Sequence, residues 1–215
     1  KEGTESADPY VLTTATPLQP DGPHGQIVGQ TLSMLLANDT FGTRFESFQT
    51  LVSTVDLHTS VDRLRMEAAS RQGQSTQFPF PYDIKIRESD DLIIDAVSSS
   101  SGEIDIEVKG TLSLLSSMNS MGNIRLQSDN TLNVNAPITT SFGSIELQGP
   151  EVNVESQIRI FGGVSNELKT DISIEATVGA LVLQDTVSAI NNVNLSASGE
   201  NGSITGDGVI LADGV

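Results

Sequence analysis

The chain of 215 residues carries 28 Asp and Glu against 11 Lys and Arg, a formal charge of −17, and such a surface repels nucleic-acid phosphates and anionic lipid. It contains no Cys, which excludes disulfide staples and thiolate chemistry. Only 4% of residues are aromatic against 37% hydrophobic, with no Trp and 19 Gly, so the core has to be built from thin layers of small and β-branched side chains between closely spaced strands.

The opening KEGTESADPY has neither a basic start nor an apolar run and does not begin with Met, and the chain is read as processed or excised. Pro17, Pro20 and Pro23 then mark residues 1–30 as an extended segment. Residues 31–81 are expected to form irregular β-coils or a cap. Leu32, Met34 and Leu36 alternate as in a strand, as do Val55 with Leu57 and Leu64 with Met66. Phe45, Phe48, Val52 and Leu64 also fit a helical face, and the β reading is preferred. GQSTQFPFP is too proline-rich for a central strand and is expected to loop out, with Phe78, Phe80 and Tyr82 folding over its base.

From residue 82 to 215 the pattern is regular. Apolar pairs begin at Leu112, Leu132, Val152, Ile172 and Val193, at steps of 20, 20, 20 and 21 residues. A second series begins at Ile84, Ile104, Ile124 and Ile145, with Leu181 and Ile204 as looser members. A third side extends the first, where Ala136 and Ile138 match Ser156 and Ile158, then Ala176 and Val178. Period-two alternation is strand, and a strand with one apolar face must stack on its neighbours. Gly102, Gly122 and Gly143 fall at the corners. The predicted fold is all-β: a single-stranded right-handed parallel β-helix, or solenoid, with irregular N-terminal coils, its hand following the preference of parallel crossovers.

The strings VDLHTSVDRLRMEA, IKIRESDDLIIDAV, GEIDIEVKGTLSLL, GNIRLQSDNTLNVNAPI and NGSITGDGVILADG resemble the filamentous-haemagglutinin-like repeat regions of very large bacterial surface proteins. That resemblance implies a secreted or cell-surface β-helical filament, an adhesin or structural segment. Its partners would be adjacent coils of a longer parent chain or neighbouring surface proteins, with a glycan or protein ligand. The 28-residue step from Leu64 to Leu92 departs from the period.

Candidate chemistry is sparse, and no cofactor is called for beyond calcium. Asp105 and Glu107 lie beside one predicted strand, with Arg125 and Glu146 at comparable positions one and two coils on. Paired carboxylates serve as acid and base in a carbohydrate-active β-helix enzyme, a polysaccharide lyase or glycoside hydrolase, but a ladder of paired charges explains them as well. Glu88, Asp90 and Asp91 form an acidic corner that suits calcium, and hence a calcium-dependent assembly module, although turn capping accounts for it more simply. His24 and His58 form no metal motif. For a ligand surface the candidates are outward Asn133 and Asn153, and Phe142 and Phe161, 19 residues apart. The expected function is an extracellular structural or adhesive segment, with the carbohydrate-active enzyme and the calcium module as alternatives.

Overall fold

The computed structural model describes residues 10–13, 27–37, 53–69, 82–100, 102–162 and 170–212, all of them strand, turn or irregular backbone. The chain enters through β1 (Tyr10–Thr13), β2 (Ile27–Ala37), β3 (Ser53–Ala69), β4 (Tyr82–Glu88) and β5 (Leu92–Ser100). Three short strands then recur on each passage round a common axis. The first passage contains β6 (Ile104–Val108), β7 (Leu112–Leu114) and β8 (Met118–Ser120). The second contains β9 (Ile124–Ser128), β10 (Thr131–Val134) and β11 (Ile138–Thr140), and the third β12 (Ile145–Gly149), β13 (Glu151–Val154) and β14 (Ile158–Ile160). They are followed by β15 (Ile172–Ala176), β16 (Ala180–Leu183) and β17 (Val187–Ala189), and last by β18 (Val193–Ala197), β19 (Ser203–Thr205) and β20 (Ile210–Ala212).

Every strand from β6 to β17 is paired in parallel with the strand three places on, which sets one passage beside the next. Leu112, Leu132 and Val152 are direct neighbours, as are Ile84, Ile104, Ile124 and Ile145. Alternate residues point to the axis, and the inward ones form one apolar cluster from Leu32 to Ala189. β1 is antiparallel to β2 and pairs with Ser33, Met34, Leu35 and Leu36 on the side away from β3.

The expectation of an open right-handed solenoid is corrected. A 13-strand parallel sheet curls 325° round its axis and closes almost into a barrel. The physical reason lies in the core: inward side chains from all the walls bury one another, and a wall left splayed would expose its apolar columns to water. Residue spacing reports which strands hydrogen-bond; it carries no information about how far the sheet curls. The expected extended structural or adhesive segment is corrected with it, because a nearly closed wall round a single core defines a compact folded domain. The sheet is therefore neither a β-helix nor a solenoid but has a nearly closed barrel topology.

Two details of register also differ. Ile172 was expected to follow Val152, but it lies beside Ile145, and Leu181 takes the place next to Val152. The step from Ile145 to Ile172 is 27 residues, so the chain between β14 and β15 carries extra length that shifts all later strands. Val178, placed inward by the expected alignment, is 59% exposed at a turn. Likewise, Leu64 pairs with Ile94 and not Leu92, beside a register shift. The helical alternative for β3 is not realised. His24, Phe45, Phe48, Val52, Phe78 and Phe80 lie outside the described residues.

Candidate functional site

The most charged wall runs through β4, β6, β9, β12 and β15. Its outward column reads Lys85, Asp105, Arg125, Glu146 and Ser173, each beside the next, because parallel register aligns residues of the same phase. Arg125 lies between two carboxylates, with Nη1 3.6 Å from Asp105 Oδ1 and Nε 3.7 Å from Glu146 Oε1. It also donates a 2.7 Å bond to Gln127 Oε1. Asp105 Oδ1 is buried and accepts no hydrogen bond among the described residues; Arg125 is its ion-pair partner.

A second outward column, two residues along, holds Arg87, Glu107, Gln127, Gln148 and Glu175. Glu107 is 3.8 Å from Arg87 Nε and 3.7 Å from Lys109 Nζ. Arg87 also reaches Asp56 Oδ1 at 3.0 Å. These are exposed pairs of small individual value; their effect is to hold the long side chains flat on the wall.

At the edge where this wall begins, the corner between β11 and β12 carries Phe142, and the next corner carries Phe161. Their backbone N–H groups bond Met121 and Thr140 at 3.0 and 2.8 Å, which stacks the corners on successive passages. Both rings face outward, at 44% and 54% exposure. Arg159 on β14 lies 4.1 Å from the centroid of the Phe161 ring, a cation–π contact. Its column continues through Thr139 and Asn119, which hydrogen-bond each other. Arg159, Thr139 and Asn119 were not singled out from the sequence, although their 20-residue spacing at outward phase was the available signal. Glu146 is four residues beyond Phe142, on the strand β12 that follows the Phe142 corner.

Asn133 and Asn153 are on the neighbouring wall. Asn153 Nδ2 donates to Asn133 Oδ1 at 3.0 Å, and Asn133 Nδ2 lies 3.4 Å from Ser113 Oγ. They form a side-chain ladder apart from the Phe corner. The acidic corner is separate again. Glu88 is buried and accepts backbone N–H bonds from Val61, Ser89 and Asp90. Burial pushes its carboxyl above the usual range, against the pull of those bonds. Asp90 accepts from Ser60 Oγ at 2.8 Å and Asp91 from Thr111 N at 2.6 Å. These three acids therefore cap turns. Among the described residues no group of three or more His, Cys, Asp or Glu is placed to hold a metal ion. His58 is exposed on β3.

The fold and this corner define a compact all-β domain with a charged outer wall. No protein-family model, curated protein or solved structure matches the chain. The expected resemblance to filamentous-haemagglutinin-like repeats is corrected on both counts, by that result and by the closure of the sheet.

Proposed function

We propose that the protein is a carbohydrate-active domain that holds a neutral glycan against the Phe142 and Phe161 corner and hydrolyses it at the adjoining carboxylate wall. The observation that carries this reading is the juxtaposition itself: two exposed rings on successive passages border a column in which Asp105 and Glu146 flank Arg125. Sugar rings stack their C–H faces on aromatic rings, and Thr139, Asn119 and Arg159 supply hydroxyl, amide and guanidinium groups beside them. The charge of −17 disfavours acidic glycans, and hence the lyase route through a uronate.

Asp105 and Glu146 stand two strands apart, about 9.6 Å at the backbone on ordinary strand spacing. Carboxyl groups at about 6.5 to 9.5 Å suit inversion, in which a water molecule fits between sugar and base. In this reading the bound glycan displaces Arg125 from Asp105, the more sheltered carboxyl, which then takes up a proton and passes it to the glycosidic oxygen as the bond to the anomeric carbon breaks. Glu146 takes the proton of the water that attacks that carbon from the opposite face. Arg125 is a positioning residue that stays with Glu146 and orients it as the base. The reading keeps the expected location outside the cell or on the bacterial surface, where such glycans are met.

Affinity electrophoresis through gels containing neutral polysaccharides tests recognition. Retardation of the native protein is expected with at least one neutral glycan, and Phe142→Ala with Phe161→Ala should weaken it about tenfold, the scale of one to two lost stacking contacts. Equal retardation of native and double-variant protein would refute the site.

A further inference from the structure

Charge is spread unevenly round the walls. Residues 110–124 and 130–145 contain no Asp, Glu, Lys, Arg or His, although the whole chain carries −17. The first stretch supplies β7 and β8 and the second β10 and β11, and these are hydrogen-bonded neighbours, β7 beside β10 and β8 beside β11. Parallel register therefore joins them into one uncharged band, two passages wide, that crosses two walls and ends at the Phe142 corner. Its borders are charged. Asp91 and Asp95 stand on the side of β5, and Glu151, Glu155 and Arg159 on the side of β13 and β14.

The band is polar as well as uncharged. On the first wall Thr111, Ser113, Thr131 and Asn133 alternate with buried Leu112, Leu114, Leu132 and Val134, and on the next Asn119 and Thr139 follow buried Met118 and Ile138. Leu115 and Phe142 are the large apolar side chains exposed along it among the described residues. Protein interfaces gather apolar and aromatic area at their centre, whereas the centre here is hydroxyl and amide. These groups are held in place, Asn133 in the ladder with Ser113 and Asn153, and Asn119 by the Thr139 hydroxyl. A primary amide has two N–H groups and two carbonyl lone pairs. Among the described residues, those bonds leave one N–H of Asn133 and both of Asn119 for another partner.

We infer that the uncharged band is a binding track that continues the Phe142 corner, so that the substrate is a long neutral polysaccharide held over several sugar units and cut within its chain. The inference rests on the glycan reading of that corner and extends it. A neutral glycan offers hydroxyl donors and acceptors along its whole length, which complements a row of amides and hydroxyls and needs no charged group to be stripped of water. The chain would run from the carboxylate wall over Phe142, along β11 and β8, to Asn133 and Ser113. Side chains already fixed by their own hydrogen bonds lose little further freedom when it binds.

The test titrates the full chain calorimetrically with size-fractionated oligosaccharides, from disaccharide to decasaccharide, of a neutral glucan, a neutral mannan and a neutral xylan. Affinity should rise with length by at least about tenfold in at least one series, the effect of one to two added hydrogen bonds. Asn119→Ala with Asn133→Ala should remove that gain and leave the affinity for the shortest oligosaccharide that binds unchanged, with circular dichroism confirming the fold. Equal affinity at every length, or an undiminished gain in the double variant, would overturn the inference and leave the Phe142 corner as a site for short ligands. Absence of binding to all three series would overturn the inference and the glycan reading together. Concentration-dependent association abolished by the Asn changes would also overturn it, since the band would then face a second copy.

Discussion

Glu88 shows how a single buried carboxylate is accommodated in this wall. Three backbone N–H groups point at it from β3 and from the turn after β4, and no cation lies against it among the described ion pairs. Desolvation outweighs those bonds, so its folded pKa lies above its unfolded value. The stabilisation from holding the proton is full below the unfolded pKa and is lost as pH rises through the folded one. Asp95 behaves in the opposite sense. The Arg63 guanidinium grips it through two bonds of 2.7 and 2.6 Å and holds its carboxyl below the usual range. Its contribution is present above the unfolded pKa and is lost as pH falls through the folded one. Denaturant midpoints should therefore shift in favour of wild type over Glu88→Gln as pH falls from about 7 to about 4, and against wild type relative to Asp95→Asn only as pH falls further, from about 4 to about 2. Parallel pH curves for wild type and both variants would contradict these assignments. An acidic corner was legible at Glu88, Asp90 and Asp91; the burial of the first and exposure of the others was not, because the phase of Glu88 depends on the register of β4 with β3.

The corners use small groups at a repeated distance. Ser120 donates to the carbonyl of Gly102, Ser128 to Gly110 and Thr140 to Gly122, at 2.7, 2.7 and 2.6 Å, each 18 residues on. Each gives a turn carbonyl a side-chain donor. At Gly143 a Cβ would collide with the backbone of Gly122, so stacked corners admit nothing larger.

At the scale of the strand, alternation decides which substitutions matter. Val134 and Ile174 are fully buried, whereas Asn133 and Asn153 are half-buried in the outward ladder. Val134→Asp or Ile174→Asp places a charge in the core and should cost more than about 4 kcal/mol or abolish folding. Asn133→Ser or Asn153→Ser should cost less than about 1 kcal/mol. Urea unfolding of the four variants checks the order, and equal losses would contradict the faces. This level was the most legible in the sequence, because period two marks a strand and the apolar phase marks its inner side. Legibility failed at Ile172, where the chain between β14 and β15 lengthens the passage: an apolar pair 20 residues after Val152 fits the period, yet Leu181 is the residue beside it.

At the scale of the whole molecule, closure turns a set of repeats into a domain. The 325° curl encloses the apolar cluster and leaves outward columns and corner rings as the chemically distinct surface. Nothing in the spacing of Leu112, Leu132 and Val152 could reveal that curl, since neighbouring strands keep the same spacing in a flat sheet and in a closed one. The candidate site was legible in pieces: Asp105, Arg125 and Glu146 as an outward column, and Phe142 and Phe161 as corner rings. Their common edge followed from register, and Arg159 over Phe161 from the position of β14. The measurement that tests the account most directly is release of reducing ends from the glycan that retards the native protein, with the anomer of the product read by proton NMR. The account predicts release with inversion, reduced at least about a thousandfold in Asp105→Asn and in Glu146→Gln with binding retained. Undiminished release in both variants, or no release from any retained glycan, would contradict it.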